Sequence, residues 1–220
     1  MKLFTVGHSN HSIETFITLL QKHGVTAIAD VRSHPYSKYL PHFNQKLLKK
    51  SLLDAGIRYV FLGNQLGARS NNPSCYVDGK ALYEKIASTK EFNDGIERIL
   101  KGAESYNISL MCAEKDPITC HRAVLVCQHL RESGLDINHI LRNGDLETNY
   151  NLEERLLKLH GLKLPEQSQQ VQLSLFDNMS LSKPLINQYS REESLEKAYK
   201  LQGDNIAYVE KREKQYEPIN

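Results

Sequence analysis

Apolar residues along the first two thirds of the chain fall into short runs that alternate with segments of helical spacing. Five runs are typical of buried strands: 2–8, 25–32, 57–63, 108–114 and 136–143. Helices are predicted between and after them, at about 13–23, 44–56, 80–102, 119–133 and 148–160. Alternation of this kind predicts an α/β fold, a single three-layer domain with a mostly parallel, Rossmann-like sheet.

Polar residues mark the predicted helix starts. Ser9 or Ser12 is suited to cap the first helix, Asn44 the second and Thr119 the helix at 119–133. Residues 64–79 are rich in Asn, Ser and Gly and are predicted to form a long loop.

The periodic pattern stops near residue 162. We assign residues 1–162 to the α/β domain and residues 163–220, which begin with a stretch rich in Gln, Ser and Pro, to an extended, flexible C-terminal tail. Within this tail, residues 190–202 are predicted to form a short amphipathic helix. Ser190 is its N-cap, and Glu193 completes a capping box.

Length, composition and charge exclude several classes of protein. A chain of 220 residues, 40% hydrophobic and 25% charged, can build one full core with an appendage, but not two ordinary enzyme domains. Its net charge of +2 does not by itself indicate nucleic acid. No segment approaches the roughly 18 apolar residues of a membrane span, and the opening residues lack a signal-like apolar run. We expect a cytoplasmic protein with free thiols and no membrane partner.

Polar and titratable residues follow the predicted strands. Ligands bind beyond the carboxyl ends of the strands in an open parallel sheet. A single polar residue at a strand end can equally be there because the chain leaves the apolar core at that point. The whole set of such residues favours a ligand-binding site. It comprises His8, Ser9, Asp30, Arg32, Ser33, Arg69, Cys112, Glu114 and Arg142.

The segment LMCAEKDPITCHRAVLVCQHL (110–130) carries the most distinctive chemistry. With Thr119 as N-cap, Cys120, His121 and Arg122 fall in the first turn of a helix. There the helix dipole favours an anion and lowers a thiol pKa. Arg122 adds a guanidinium suited to phosphate or carboxylate. The geometry is natural for a polar or phosphorylated ligand, with Cys112 as nucleophile and Glu114 as acid or base.

This segment has three other interpretations. A metal site at Cys112, Cys120 and His121 needs a fourth ligand, such as His8 or His34, and its spacing matches no standard zinc pattern. We therefore expect no bound metal and no cofactor. A phosphatase-type loop is excluded, because the position that requires arginine is Ile118. Structural cysteines that pack strand against helix remain an alternative, which suits Cys127 well.

Four blocks of the sequence resemble the domain-of-unknown-function 488 family, across roughly residues 2 to 160. They are TVGHSN, DVRSHPYS, LGAR and CAEKDPITCHR. The resemblance implies a compact α/β domain, no settled reaction, and a link to DNA repair in some members. Ala68 occupies a position where many members of the family have a second glycine. The family positions in this chain are His8, Ser9, Asp30, Arg32, Pro35, Ser37, Arg69, Cys112, Glu114, Cys120, His121 and Arg122.

A second signal lies in the predicted tail. The pentapeptide QLSLF (172–176) resembles the peptide by which bacterial DNA polymerases and repair proteins bind the sliding clamp. Gln172 would make polar contacts, and Leu173, Leu175 and Phe176 would anchor in an apolar pocket. The alternative is that these apolar side chains fold back onto their own domain.

Two classes of function remain open from the sequence. The first is a DNA-repair-associated enzyme that acts on nucleic acid or a nucleotide and is recruited by the clamp. Its phosphate- or substrate-binding residues include Arg32, Arg69 and Arg122, and its catalytic residues are Cys112, Glu114, His8 and Asp30. The second is a non-catalytic adaptor or sensor that binds a nucleotide. A hydrolase or transferase for a small phosphorylated metabolite is a further alternative.

Overall fold

The computed structural model describes residues 1–162 and 190–210 of the chain. Six strands form the central sheet, and neighbouring strands pair in parallel except at one edge, where the last strand is antiparallel. In spatial order the strands are β3 (Arg58–Phe61), β2 (Ala27–Asp30), β6 (Ile108–Cys112), β1 (Lys2–Gly7), β7 (Asp136–Ile140) and β8 (Leu146–Thr148). A separate short hairpin consists of β4 (Tyr76–Val77) and β5 (Lys80–Ala81).

Helices cover both faces of the sheet. They are α1 (Ile13–Lys22), α2 (Gln45–Asp54), α3 (Gly63–Leu66), α4 (Tyr83–Ala87), α5 (Lys90–Ala103), α6 (Gln128–Leu130), α7 (Asn149–Leu159) and α8 (Arg191–Ile206), with a π-helical segment at Arg122–Cys127 that leads into α6. Apolar residues of α1 and α2 form one core with the sheet, and those of α4, α5 and the π-helical segment form another. The predicted three-layer α/β fold is confirmed.

Local details differ from the prediction in several places. The predicted long loop at 64–79 contains most of α3 and the short strand β4. The single helix predicted at 80–102 is two helices, because the Thr89 side chain accepts a hydrogen bond from the Phe92 N–H (3.2 Å) and caps a new helix there. Strand β8 was missed. It has three residues and pairs with β7 alone, so local periodicity gives little sign of it.

Helix α8 packs on the α/β domain, although we assigned its residues to the tail. Leu195, Ala198 and Tyr199 are buried in one cluster with apolar residues of α7 and of the segment after β6. The Gln202 side chain donates a hydrogen bond to the carbonyl oxygen of Ile118 (2.8 Å). The capping box of Ser190 and Glu193 is present at its start. Residues 190–210 therefore belong to the same folded unit as the sheet.

Among residues 1–162 and 190–210, no helix is both long and apolar enough to cross a membrane. The clamp-like peptide with Gln172, Leu173, Leu175 and Phe176 lies outside the described residues.

Replacement of Leu195 tests the packing of α8. Leu195→Ala should lower the free energy of unfolding by about 2–5 kcal/mol, because the side chain is fully buried. The matched control is Leu201→Ala in the same helix, where the side chain is exposed and the change should stay within about 0.5 kcal/mol. Urea denaturation measures both, and equal losses would contradict the packing.

Candidate functional site

The carboxyl ends of β1, β2 and β6 meet at one edge because these strands pair in parallel. The register of β1 and β6 sets Gly7 beside Cys112, and the His8 N–H donates to the Cys112 carbonyl oxygen (2.9 Å). A cavity of about 460 Å³ opens at this edge. Most of the sequence-predicted side chains line it: His8, Arg32, Ser37, Arg69, Cys112, Glu114, Cys120 and His121.

Two sulfurs and one imidazole form a compact group in the wall of the cavity. The Nδ1 atom of His121 lies 3.6 Å from Cys112 Sγ and 4.0 Å from Cys120 Sγ, and the three atoms all lie within 4.8 Å of one another. The His121 Nε2–H donates to the Val31 carbonyl oxygen (2.9 Å). This bond leaves Nδ1 as the ring nitrogen that faces the sulfurs.

The turn before Cys120 brings its sulfur back to Cys112. Asp116 accepts a hydrogen bond from the Ile118 N–H (3.1 Å), and Pro117 begins a 3₁₀ turn that ends at Thr119. Cys120 is extended, with φ −134° and ψ 137°. The prediction that Thr119 caps a helix containing Cys120 is therefore wrong: helical residues begin only at His121, because the 3₁₀ turn occupies the preceding residues.

Arg122 lies beneath the cavity rather than in its wall. Its side chain is fully buried, and it donates hydrogen bonds to the Glu114 carbonyl oxygen (2.8 Å) and to Thr5 Oγ1 (3.4 Å). A Cβ on Gly7 would lie 1.8 Å from that same carbonyl oxygen, so only glycine permits the close approach of the loop. Arg122 and Gly7 together position the loop that carries Glu114.

Asp30 lies below the edge and orients Arg32. Its carboxylate accepts from Arg32 Nε (2.9 Å), Arg32 Nη2 (2.7 Å) and the Tyr59 hydroxyl (2.7 Å), and it is fully buried. Arg32 Nη1 in turn donates to His8 Nε2 (3.3 Å). The His8 ring stacks on Phe43 with 4.2 Å between ring centroids. Asp30 does not line the cavity, whereas Arg32 and His8 do.

Two of the predicted serines, Ser9 and Ser37, form hydrogen bonds with or through the backbone of the loops. Ser9 has a left-handed φ of 46°, and its N–H donates to the Ala113 carbonyl oxygen (3.0 Å). It does not line the cavity. Ser37 lines it, and its N–H donates to Asn44 Oδ1 (2.6 Å) while its hydroxyl accepts from the Leu40 N–H (3.1 Å). Both residues shape the loops around the edge.

Burial and mutual charge shift the pKa values of the group. Burial and then the contact with Cys120 raise the pKa of Cys112. Burial alone would also raise the pKa of Cys120, but the hydrogen bond with Cys112 and the positive charges of Arg122 and His121 outweigh it and hold that pKa well below its usual value. Burial and the Cys120 charge raise the pKa of Glu114. A low-pKa thiol, an imidazole and a carboxyl group in contact can act as nucleophile, acid or base, or as metal ligands.

The outer wall of the cavity contains residues that the sequence analysis missed. Tyr83 comes from α4, and Ile206 and Tyr208 come from the end of α8 and just beyond it. The Arg69 guanidinium lies over the Tyr208 ring, 4.2 Å from its centroid. No periodicity or motif marks these residues as part of a site. Ile206 and Tyr208 reach the cavity only through the docking of α8.

Comparison with known proteins identifies the family. A sequence model described as Domain of unknown function DUF488 matches residues 12–128, which is more than half of the chain, and the chain belongs to this family. The predicted family is thereby confirmed, over three of the four sequence blocks, since TVGHSN precedes the matched residues. No curated protein and no solved structure matches the chain.

A buried network continues from Arg122 to the far side of the site. Thr5 Oγ1 lies 2.9 Å from His139 Nδ1, and His139 Nε2 lies 3.3 Å from Asn149 Oδ1. Since the amide oxygen only accepts, the Nε2 atom carries the proton and Nδ1 accepts from Thr5. His139 is thus held as a neutral imidazole.

Acid should destabilise the fold through His139. Burial, and then the charge of Arg122, lower its pKa from 6.5 to about 3. The unfolded state therefore binds a proton more readily, and stability that is complete above pH 6.5 is lost as the pH falls toward 3, by up to about 1.4 kcal/mol per pH unit. Urea denaturation at pH 7 and pH 5 should show a smaller difference for His139→Gln than for the wild type. Identical differences would contradict this role.

Proposed function

We propose that this protein is an enzyme acting on a nucleotide or nucleic acid, and that the cavity at the carboxyl edge of the sheet is its active site. One observation carries the proposal. Guanidinium groups that suit phosphate share a single cavity with two thiols, an imidazole and a carboxyl group.

Arg69 is the main candidate for phosphate binding. It is exposed at the cavity wall, and no carboxylate lies within ion-pair distance of it among residues 1–162 and 190–210. Its contact with the Tyr208 ring orients the guanidinium without neutralising it. A dianionic phosphate can therefore supply the counter-charge.

Arg32, unlike Arg69, has a carboxylate partner and would contact a polar ligand through directed hydrogen bonds. Asp30 neutralises its charge and fixes its orientation, and one edge of the guanidinium is turned toward His8. A fixed, partly neutralised arginine contributes directional hydrogen bonds more than net attraction. This arrangement suits recognition of a defined group in the ligand.

Aromatic side chains around the cavity suit a base. Tyr36, Tyr83 and Tyr208 all line it. Nucleobases stack on aromatic rings whatever their sequence, whereas phosphate contacts fix position. The combination of rings with Arg69 favours a nucleotide or a single strand over a small phosphorylated metabolite.

The reactive group favours an enzyme over an adaptor. Binding a nucleotide does not require Cys112, Cys120, His121 and the Glu114 carboxyl group to meet at the wall of the same cavity. Buried titratable groups with shifted pKa values, such as Cys112 and Cys120, are typical of catalytic sites. We therefore assign the chemistry to this group and ligand binding to the arginines and tyrosines.

Binding and conversion of a labelled single-stranded oligonucleotide test the proposal. Arg69→Gln should weaken binding about tenfold in fluorescence anisotropy, since it removes a charged contact. The matched control is Arg58→Gln, which removes an arginine that lies over a tyrosine ring, Tyr106, away from the cavity. It should bind as the wild type does.

Mass spectrometry of the incubated oligonucleotide tests catalysis. The wild type should change its mass with turnover, and Glu114→Gln should bind it but leave it unchanged. Binding without conversion by the wild type would favour the adaptor. Equal binding by the Arg69 and Arg58 variants would contradict the assignment of the cavity.

We further propose that residues 172–176 recruit the protein to the DNA sliding clamp, which would place its activity in DNA repair. The support is the sequence itself: Gln172, Leu173, Leu175 and Phe176 match the clamp-binding pattern within a polar segment. Two anchors buried in the clamp pocket contribute roughly 1.5–3 kcal/mol each before ordering costs, and micromolar binding, about 8 kcal/mol, also needs the polar and backbone contacts of the peptide.

Replacement of the two anchors tests recruitment. Leu175→Ala with Phe176→Ala should abolish binding to purified clamp and leave the melting temperature nearly unchanged. The matched control is Leu181→Ala with Leu185→Ala in the same segment, which should bind the clamp as the wild type does. A lower melting temperature of the first variant, with no clamp binding in either form, would show that the anchors pack on their own domain.

A further inference from the structure

We propose that Cys112, Cys120 and His121 bind a zinc ion through two sulfurs and one imidazole nitrogen, with the fourth coordination position open to the cavity. The spacing of these residues in the sequence matches no standard zinc pattern, and from sequence alone we expected no metal. The three-dimensional arrangement of their ligand atoms points to the site instead.

The distances from His121 Nδ1 to the two sulfurs are close to those of tetrahedral coordination, and all three atoms lie within 4.8 Å of one another. Zinc–sulfur bonds of about 2.3 Å and zinc–nitrogen bonds of about 2.0–2.1 Å place neighbouring ligand atoms about 3.5–3.8 Å apart. His121 Nδ1 lies 3.6 Å from Cys112 Sγ and 4.0 Å from Cys120 Sγ. An approach of up to about 1 Å between the two sulfurs would complete the geometry.

The outer contacts of His121 are those of a metal ligand. Metal-bound histidines usually donate their second ring N–H to a carbonyl or carboxylate oxygen, which fixes the tautomer and the orientation of the ring. The bond from His121 Nε2 to the Val31 carbonyl oxygen (2.9 Å) does this. The Nδ1 atom faces the two sulfurs, where it would bind the ion in place of a proton.

The charge of Arg122 supports two metal-bound thiolates. Its guanidinium is fully buried, and no carboxylate lies within ion-pair distance of it in the part of the chain that the structure describes. Zinc binds cysteine as the thiolate, so an occupied site carries negative sulfurs close to this cation. An unpaired buried charge is otherwise costly.

The open position makes the site of the catalytic type. Three protein ligands leave one position for water or substrate, whereas structural zinc sites use four. The cavity reaches all three residues, and the Glu114 carboxylate lies beside them, with Oε2 3.0 Å from Cys120 Sγ. Glu114 is not part of the three-atom ligand group, and its contact with Cys120 suits a proton acceptor for a water or substrate at the ion.

Metal analysis of the full chain tests the site without any substrate. Protein purified without a histidine tag and without added metal should contain about one zinc ion per chain. After exchange with cobalt, the protein should show thiolate-to-cobalt charge-transfer absorption. Cys120→Ser should lose both signals. Cys127→Ser, which changes a buried cysteine outside the cluster, should keep both.

Two further measurements test the open coordination position and the site itself. Glu114→Gln should keep the zinc, and loss of zinc in that variant would overturn the open position. Absence of the charge-transfer absorption in the wild type after cobalt addition would overturn the site, whether or not a variant folds. Zinc content does not depend on nucleic acid, so failure of oligonucleotide binding leaves this inference standing, and the reverse also holds.

Discussion

The close approach of β1 to the loop after β6 is the constraint on which the site depends. Gly7 has no side chain, so the carbonyl oxygen of Glu114 can lie where a Cβ would otherwise be. Arg122 holds this carbonyl from below with a hydrogen bond of 2.8 Å. The loop then returns through the turn at Pro117 and brings Cys120 back to Cys112. Backbone packing therefore determines where the reactive groups meet.

Some polar residues at this edge of the sheet are buried and hold other residues in position, whereas others reach the cavity. Asp30 and Arg122 are enclosed, and they use their hydrogen bonds on other parts of the protein. Such groups are stable inside only because most of their polar atoms are satisfied. Arg69 and Glu114, in contrast, reach the cavity with part of their hydrogen-bonding capacity free for a ligand. The first set holds the second in position.

The docking of α8 links the stability of the fold to the shape of the cavity. Leu195 and Tyr199 pack on α7 and on the segment after β6, which also carries Cys120. The same docking brings Ile206 and Tyr208 into the outer wall, where the tyrosine ring lies under Arg69. A change in α8 would therefore act on the ligand site as well as on the free energy of unfolding.

The sequence by itself determined the layered α/β fold, because buried strands and amphipathic helices differ in hydrophobic period. It also indicated His8, Arg32 and Cys112, since strand ends in a parallel sheet share one edge. Only the tertiary structure decided that Asp30 and Arg122 lie beneath the cavity, that Cys120 precedes its helix, and that Tyr208 completes the wall. The contact of His121 with Val31 spans 90 positions of the chain. Contacts of this kind depend on how the loops close and how the helices and strands pack. The local pattern of apolar and polar residues predicts neither.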